Sequence, residues 1–535
     1  MLFEHYQFAG RRSNVIARAG VVATSQPLAA QAGLAVLCAG GNAVDAALAT
    51  VAALCVVEPC STGVGGDAFA LIWQANERRL YGLNASGPAP AGLRADWVRG
   101  LGYAEMPAFG PIPVTVPGAV RGWQAALDRF GSWPLDRILT QAITYAEEGF
   151  PVSQRIAGSW SRSTEKMSQH PDSRRVWLPG GRAPRAGELF RNPEFARTLR
   201  TLAAEGPDAF YLGDIGRQIA ACVQEAGGVL TQDDLAAYRP EWVTPLSLPY
   251  RDGYVFHEIP PNGQGLTALI ALNIARGFDL RRMRYGSADY YHLLMEAIKL
   301  AFADAHAFIA DPRQARVPIS GLLSDAYAAA RRALIRPDAA LEPFPGQPDH
   351  HGDTVYLTVA DREGNMVSWI QSLYMGFGSG LTAGTTGVQL QNRGANFSLE
   401  PGHPNEAAPG KRPYHTIIPG FITKDDQAWS SFGVMGGFMQ PQGHLQVGVN
   451  LIDFDMDPQS ALDAPRFQWM AGRAFGLEPT ISAAARAELA ARGHEIRVDM
   501  PPLFYGGGQV IVRDEETGVY YAGSEPRNDG AAVGY

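Results

Sequence analysis

The sequence is short of lysine, of cysteine and of charge in general. Only four lysines occur in 535 residues (Lys166, Lys299, Lys411 and Lys424), charged residues make up 18%, and 45 Lys+Arg against 53 Asp+Glu leave a formal charge of −8. Arginines pair only at Arg11-Arg12, Arg78-Arg79, Arg174-Arg175, Arg281-Arg282 and Arg331-Arg332. Phosphate binding needs a concentrated basic face, so nucleic acid is excluded as the main partner. Cys38, Cys55, Cys60 and Cys222 show neither CxxC nor a regular spacing, and three of them lie in or beside apolar segments. That excludes a disulfide framework and reads as buried free thiols. The longest nearly apolar run, Ala46–Val57, stops at Asp45 and Glu58, well short of the roughly 20 residues a membrane span needs. Met1 to Gly20 contains no apolar signal region. The expectation is a cytoplasmic protein with no membrane partner.

The usual catalytic signatures are missing as well. There is no G-x-S-x-G, no H-E-x-x-H and no GxxxxGK[ST]. His350-His351 is a candidate metal pair, but adjacent histidines in a proline-rich stretch are normally solvated, and no nearby Cys or carboxylate cluster adds a third ligand. No metal and no cofactor are expected.

What is present is apolar residues at 46%, Gly at 60 and Pro at 38. The last two exceed their usual joint share of roughly 12%, which indicates a large core with long, shaped loops. Ser25-Gln26-Pro27 opens a helix over Leu28–Cys38, closed by Gly40-Gly41, and Asn42 opens a second. Val44, Ala47, Leu48, Val51 and Leu54 give the second helix its apolar stripe, and Ala46, Ala47, Ala49, Ala52 and Ala53 permit close approach. Gly63-Val64-Gly65-Gly66-Asp67 precedes a strand over Ala68–Trp73, which is the wrong place for a nucleotide fingerprint and reads as a structural turn. Helical stretches follow at Ala119–Phe130 and Ile138–Glu148, a strand at Tyr250–Glu258, and helices from Thr267 and over Ala288–Ala310. Pro343, Pro345, Gly346 and Pro348 mark an exposed linker over Asp338–His351. Beyond it the pattern turns to β: Val355, Leu357 and Val359 alternate with Tyr356, Thr358 and Ala360. Asp361–Asn365 then turns the chain, and Met366–Leu373 returns as the partner strand.

Thr354 opens that first strand. On its own a β-branched residue there is structural. A series of ordered matches changes its weight: Gly40–Ala47, Gly65-Gly66, Val116-Pro117-Gly118, Glu296–Ala301, Asp353-Thr354, Gly376–Gly380, Lys411-Arg412-Pro413, Met435-Gly436-Gly437, Ala464-Pro465-Arg466 and Pro526-Arg527 through Gly534-Tyr535. On these the chain resembles the gamma-glutamyltranspeptidase family of N-terminal nucleophile hydrolases, from about Ala19 to Tyr535. The resemblance implies an α+β fold, a four-layer αββα sandwich built from two subunits of one self-cleaving zymogen, residues 1–353 and 354–535, sharing a single fold. It implies cleavage between Asp353 and Thr354, with Thr354 as nucleophile and its new α-amino group as general base. Ser372 matches a second hydroxyl on the nucleophile, and Gly436 and Gly437 match an oxyanion-hole pair.

The departures from the family pattern concern substrate binding. The glutamyl-binding arginine position falls at Ala85, and the later binding set reads Tyr374, Arg393, Asn396, His415 and Thr416. A carboxylate that would pair an α-ammonium is gone and a guanidinium is new, in a pocket that lacks an acidic partner for it. Glu400–Lys411 is shorter than the lid loop of many relatives. The implied enzyme is a threonine amidohydrolase acting on a small amide whose acyl part bears a carboxylate. Oxamate, giving oxalate and ammonia in purine catabolism, is the specific expectation. Glutaryl removal from cephalosporin-like amides, gamma-glutamyl hydrolysis or transfer, and an inactive binding homologue are the alternatives. Partners are the two subunits, and a homo-oligomer stays open.

Overall fold

The computed structural model describes residues 12–342 and 353–535. The His350-His351 pair and most of the proline-rich linker lie outside the described residues.

Two seven-stranded antiparallel sheets form the centre. In the first, the strand Asp353–Asp361 lies third, hydrogen-bonded to Gly20–Thr24 on one side and to Met366–Tyr374 on the other. Asp67–Gln74 and Arg79–Ala85 continue it, and Ala531–Gly534 closes the far edge. The second sheet is built around Gln427–Met435, Gly420–Lys424, Gly507–Arg513 and Tyr254–Glu258. Each sheet mixes strands from before and after Thr354, so neither stretch of chain holds a complete sheet.

The period-2 alternation has an unusual outcome in the Asp353–Asp361 strand: both faces are buried. Val355, Leu357 and Val359 face outward, into a core shared with helices Pro27–Cys38, Ala43–Val57, Ala119–Phe130 and Leu135–Glu148. Tyr356 and Ala360 face inward, against Phe421, Met435 and Ile511 of the second sheet. The outer face of that second sheet is covered by Gly265–Ala275, Ala288–Phe308 and Met439–Ile452. The order helix, sheet, sheet, helix is the expected αββα sandwich. Among the described residues no helix is long and apolar enough to cross a membrane.

The small-residue helix pair packs as its composition requires. Asn42 caps the second helix by accepting from the backbone N–H groups of Val44 and Asp45, and Asp45 returns the bond to Asn42 N–H at 2.9 Å. Asp361, from the turn after the Thr354 strand, accepts Ala43 N–H at 2.9 Å and so ties that helix start to the hairpin. A Cβ on Gly33 would fall 2.1 Å from Thr50 Oγ1 on the facing helix.

Two expectations need correction. The strand read as Tyr250–Glu258 begins at Tyr254. Asp252 and Gly253, at φ 48° and 81°, form the two-residue turn of a hairpin whose other arm is Leu246–Pro249. An Asp-Gly pair with both residues left-handed matches the twist of flanking strands and is the usual hairpin turn. Of the four free cysteines, Cys38 is exposed at a helix end, while burial pushes the Cys55 and Cys222 thiols up to about 12.

The helix contact yields a stability test. Gly33→Ala should destabilise the protein by about 1–3 kcal/mol through overpacking, read as a lower thermal midpoint. Thr50→Ala in the same chain should recover part of the loss, and additive losses would refute the contact.

Candidate functional site

Thr354 sits at a disruption of its own ladder. Asp353 pairs with Tyr374 but Val355 pairs with Gln371, so two residues, Ser372 and Leu373, bulge opposite Thr354. Bulges break strict alternation and re-aim side chains, often beside active sites. The Thr354 side chain is buried, and its Oγ1 donates to Ser372 Oγ at 3.4 Å. Ser372 Oγ also accepts Tyr374 N–H at 2.7 Å and Arg393 Nη2–H at 3.2 Å. Tyr374 ends the bulged strand at φ 82°, a left-handed conformation rare for a bulky residue, and its ring lies 4.4 Å from the Arg393 guanidinium carbon.

Gly436 and Gly437 join the strand Gln427–Met435 to the helix starting at Met439. Their φ values are 124° and 60°, and a Cβ on Gly436 would lie 3.1 Å from Gly506 Cα. Their carbonyls accept from Met439 and Gln440, while neither Gly N–H finds an acceptor among the described residues. Two free N–H groups at a helix N-terminus suit a developing oxyanion. A cavity of about 60 Å³ touches both Thr354 and Gly436, with Ser25, Glu58, Ser61, Arg155, Asn528 and Asp529 among its lining.

Of the five expected substrate residues, four are brought together. Arg393 is fully buried. Its Nη1 donates to Thr416 Oγ1 at 2.6 Å and its Nη2 to Ser372, while Nε has no partner. Tyr374 Oη is likewise buried and unpartnered. His415 neighbours Thr416 and donates Nε2–H to Asp67 at 3.0 Å, while its Nδ1 accepts Ile417 N–H at 3.3 Å. Those two bonds fix the neutral Nε2–H tautomer. Burial pulls His415 well below the ordinary histidine value, and Arg393 and Arg412 add to the effect. Asn396 stands apart: its amide donates to Tyr414 O, and it lines a separate cavity of about 830 Å³ with Tyr414, Phe397 and Leu399. Ala85 faces Gly122 on the outer helix, with its Cβ turned away from Arg393's cluster.

The expectation that Arg393 lacks an acidic partner is wrong. Asp67 is completely buried within electrostatic reach, although no hydrogen bond joins the two. Its Oδ1 accepts the N–H groups of Gly87 (2.9 Å) and Gly118 (3.2 Å) and Gln391 Nε2–H (2.9 Å), and its Oδ2 accepts from His415. Burial pushes the Asp67 carboxyl up to about 7, opposed by Arg393 and these donors. Burial also lowers Arg393, to about 10. The glycine cluster ahead of Asp67 is a turn, as expected, and it has a positional purpose. A Cβ on Gly65 would meet Gln389 O at 1.9 Å, and one on Gly66 would meet Ser372 O at 2.3 Å. Only glycine lets this turn run against the backbone of the site. The available signal for Asp67 was an acid opening the otherwise apolar strand Asp67–Gln74.

A metal has one three-group candidate among the described residues: His292, Glu296 and His494, buried, with ligand atoms within 4.8 Å of one another. Lys299 Nζ already lies 2.6 Å from Glu296 Oε1 and supplies the positive charge there. His292 donates Nε2–H to Arg336 O at 2.7 Å, leaving Nδ1 to accept from His494 at 2.8 Å. The cluster is a buried hydrogen-bonded network that carries its own cation.

His415 provides a direct check on this geometry. Its ¹⁵N resonances should report a neutral, Nε2-protonated ring that does not titrate near the ordinary histidine value of about 6.5. The signal is assigned by its loss in His415→Gln. A ring that titrates there would refute the buried Asp67 contact.

The comparisons with known proteins agree with this geometry. The gamma-glutamyltranspeptidase family profile matches residues 29–535. The chain is 37% identical over 531 residues to the glutathione hydrolase-like YwrD proenzyme of Bacillus subtilis, covering 97% of this chain and 99% of the relative. It is 37% identical over 541 residues to the oxamate amidohydrolase proenzyme of Klebsiella pneumoniae, covering 98% of this chain and 100% of the relative. The crystal structure of cephalosporin acylase from Bacillus halodurans superposes with a TM-score of 0.94 at 50% identity, covering 100% of this chain and 99% of the acylase. The chain belongs to the gamma-glutamyltranspeptidase family, as a hydrolase of amide bonds on the N-terminal nucleophile hydrolase fold.

Proposed function

We propose that the protein cleaves itself between Asp353 and Thr354 and then hydrolyses a small amide whose acyl group carries a carboxylate, with oxamate as the substrate. In maturation the Thr354 hydroxyl attacks the Asp353 carbonyl carbon, and the C–N bond breaks as the acyl group moves to oxygen. Water then hydrolyses the ester, giving chains of 353 and 182 residues. The freed α-amine has an ordinary pKa of about 7.7–8.0, so much of it is neutral near pH 7–8 and can take the proton of its own hydroxyl. In turnover Thr354 Oγ1 attacks the amide carbon and the Gly436 and Gly437 N–H groups hold the oxyanion. Ammonia leaves with the proton, and water releases the acid. Oxamate and water give oxalate and ammonia.

One observation carries the choice of substrate: Ser372 Oγ is hydrogen-bonded to both Thr354 Oγ1 and Arg393 Nη2. The nucleophile and the guanidinium are therefore two hydrogen bonds apart. A carboxylate bonded directly to the scissile carbonyl spans that distance, held by Arg393 Nε and Tyr374 Oη, two buried donors without partners beside Ser372. A glutaryl carboxylate lies three methylenes further out. Gamma-glutamyl substrates add an α-ammonium, and the four donors already on Asp67 leave its oxygens no capacity to receive it. The second reading, glutaryl removal from a cephalosporin-like amide, is favoured by the 50% identity to the Bacillus halodurans acylase.

Two experiments test this. On a denaturing gel the purified protein should run as two fragments, with Thr354 as the new N-terminus. Thr354→Ala should remain one chain without amidase activity, and a processed Ala variant would sink the mechanism. Against a panel of oxamate, a glutaryl amide and a gamma-glutamyl anilide, kcat/KM should be highest for oxamate. Arg393→Lys keeps the charge but loses the planar fork, and should lower kcat/KM for oxamate on the order of 10- to 100-fold. Preference for the glutaryl amide would select the second reading, and preference for the anilide would return the protein to the ordinary transpeptidase activity.

A further inference from the structure

A guanidinium buried before substrate arrives needs a counter-charge, because an uncompensated ion in a protein interior is strongly unfavourable. A carboxylate bonded directly to the guanidinium would meet that need but would fill the place the substrate carboxylate must take. Asp67 supplies a counter-charge without taking that place. Its two oxygens accept from Gly87 N–H, Gly118 N–H, Gln391 Nε2 and His415 Nε2, and four donors use up the accepting capacity of a carboxylate. Arg393 spends Nη1 on Thr416 and Nη2 on Ser372 and leaves Nε unpartnered. Asp67 is the cross-strand partner of Ser372, which Arg393 Nη2 contacts, so the two charges attract through space without touching.

We propose that Asp67 is a specificity-determining residue of the carboxylate site: a counter-charge fixed at a distance, which keeps Arg393 ionised between turnovers and weakens its hold on the acid product. The proposal rests on the reading of Arg393 as the carboxylate grip. The donors that immobilise Asp67 come from four separate places in the chain, and two of them are backbone N–H groups that cannot swing away. Asp67 also acts on the Tyr211 and Tyr238 phenols, which burial keeps protonated, and the neighbouring Arg412 is already ion-paired to Glu241 at 2.6 Å. His415 stays neutral, so Arg393 is the cation that Asp67 balances. Loss of the Asp67 charge therefore leaves Arg393 more strongly attracting to any bound anion, and less well tolerated without one.

The test is oxalate binding by calorimetry and thermal unfolding of the mature enzyme. It is run at about pH 8, where a carboxyl near 7 is ionised. Asp67→Asn keeps the shape and removes the charge. It should bind oxalate on the order of 10-fold more tightly than the wild type. It should unfold at a lower temperature without ligand, and gain more from oxalate than the wild type does. Asp67→Ser, smaller and also neutral, should move the same way and guards against a failure peculiar to the amide. A merely structural Asp67 would lower the midpoint in both variants while leaving the oxalate response unchanged or weaker. That result, or failure of both variants to fold even with oxalate present, overturns the proposal. If it comes with wild-type binding that Arg393→Lys abolishes, the carboxylate grip survives. Wild-type enzyme that does not bind oxalate, or binds it regardless of Arg393→Lys, overturns both.

Discussion

The structure depends on a strand held from both sides. Asp353–Asp361 is hydrogen-bonded to Gly20–Thr24 and to Met366–Tyr374, and its two faces are buried against a helix layer and a second sheet. From Leu357 onward the strand is held by two ladders, and from Val355 onward by the ladder to Met366–Gln371, none of which needs the peptide bond before Thr354. A chain end at Thr354, as proposed, would leave those ladders in place. The mixing of strands from before and after Thr354 in both sheets works the same way, since separating the two stretches would open every ladder between them.

The electrostatics of the site follow from where that strand lies. The nucleophile proposed at Thr354, between two packed sheets, can be served only by buried polar groups, and each must be paired or neutral. The site satisfies this with a hydroxyl that receives three donors at Ser372, a tautomerically fixed neutral His415, and one separated pair of opposite charges. Four of the groups left without partners are donors, the Arg393 Nε, the Tyr374 Oη and the N–H groups of Gly436 and Gly437, while Gln391 Oε1 is an acceptor without one. These four donors suit the proposed reading, with a carboxylate at Arg393 and Tyr374 and an oxyanion at the two glycines.

How much of this was legible in the sequence depended on distance along the chain. Helix starts at Pro27 and Asn42, the hairpin through Asp361–Asn365 and the Thr354 strand were readable because their signals are local: a cap, a turn, an alternation. Thr354, Ser372, Gly436 and Gly437 came from ordered motif matches, and the geometry brings Thr354 to Ser372 and to Gly436's cavity. Asp67 was not legible. It looks like the end of a glycine turn, and its meaning lies in donors at positions 87, 118, 391 and 415, which only the folded chain assembles. The Asp252-Gly253 turn was missed for the opposite reason: the local signal was there, but the apolar pattern on either side read as one continuous strand.

The two reactions proposed for Thr354 place unequal demands on this site. In the turnover reaction the α-amine is free and acts as the base. In maturation that same nitrogen is still an amide of Asp353 and has no basic lone pair, so the hydroxyl must attack with the help of orientation and oxyanion donors alone. Burial of Thr354 and the bond to Ser372 supply the first, and the free N–H groups of Gly436 and Gly437 supply the second. Orientation by itself is worth a large part of a barrier when the reacting groups are held near each other, and an intramolecular attack has only to occur once. The bulge opposite Thr354 therefore serves the slow first reaction most, because it aims the hydroxyl before any base exists. The carboxylate grip proposed at Arg393 would serve only the reaction that repeats.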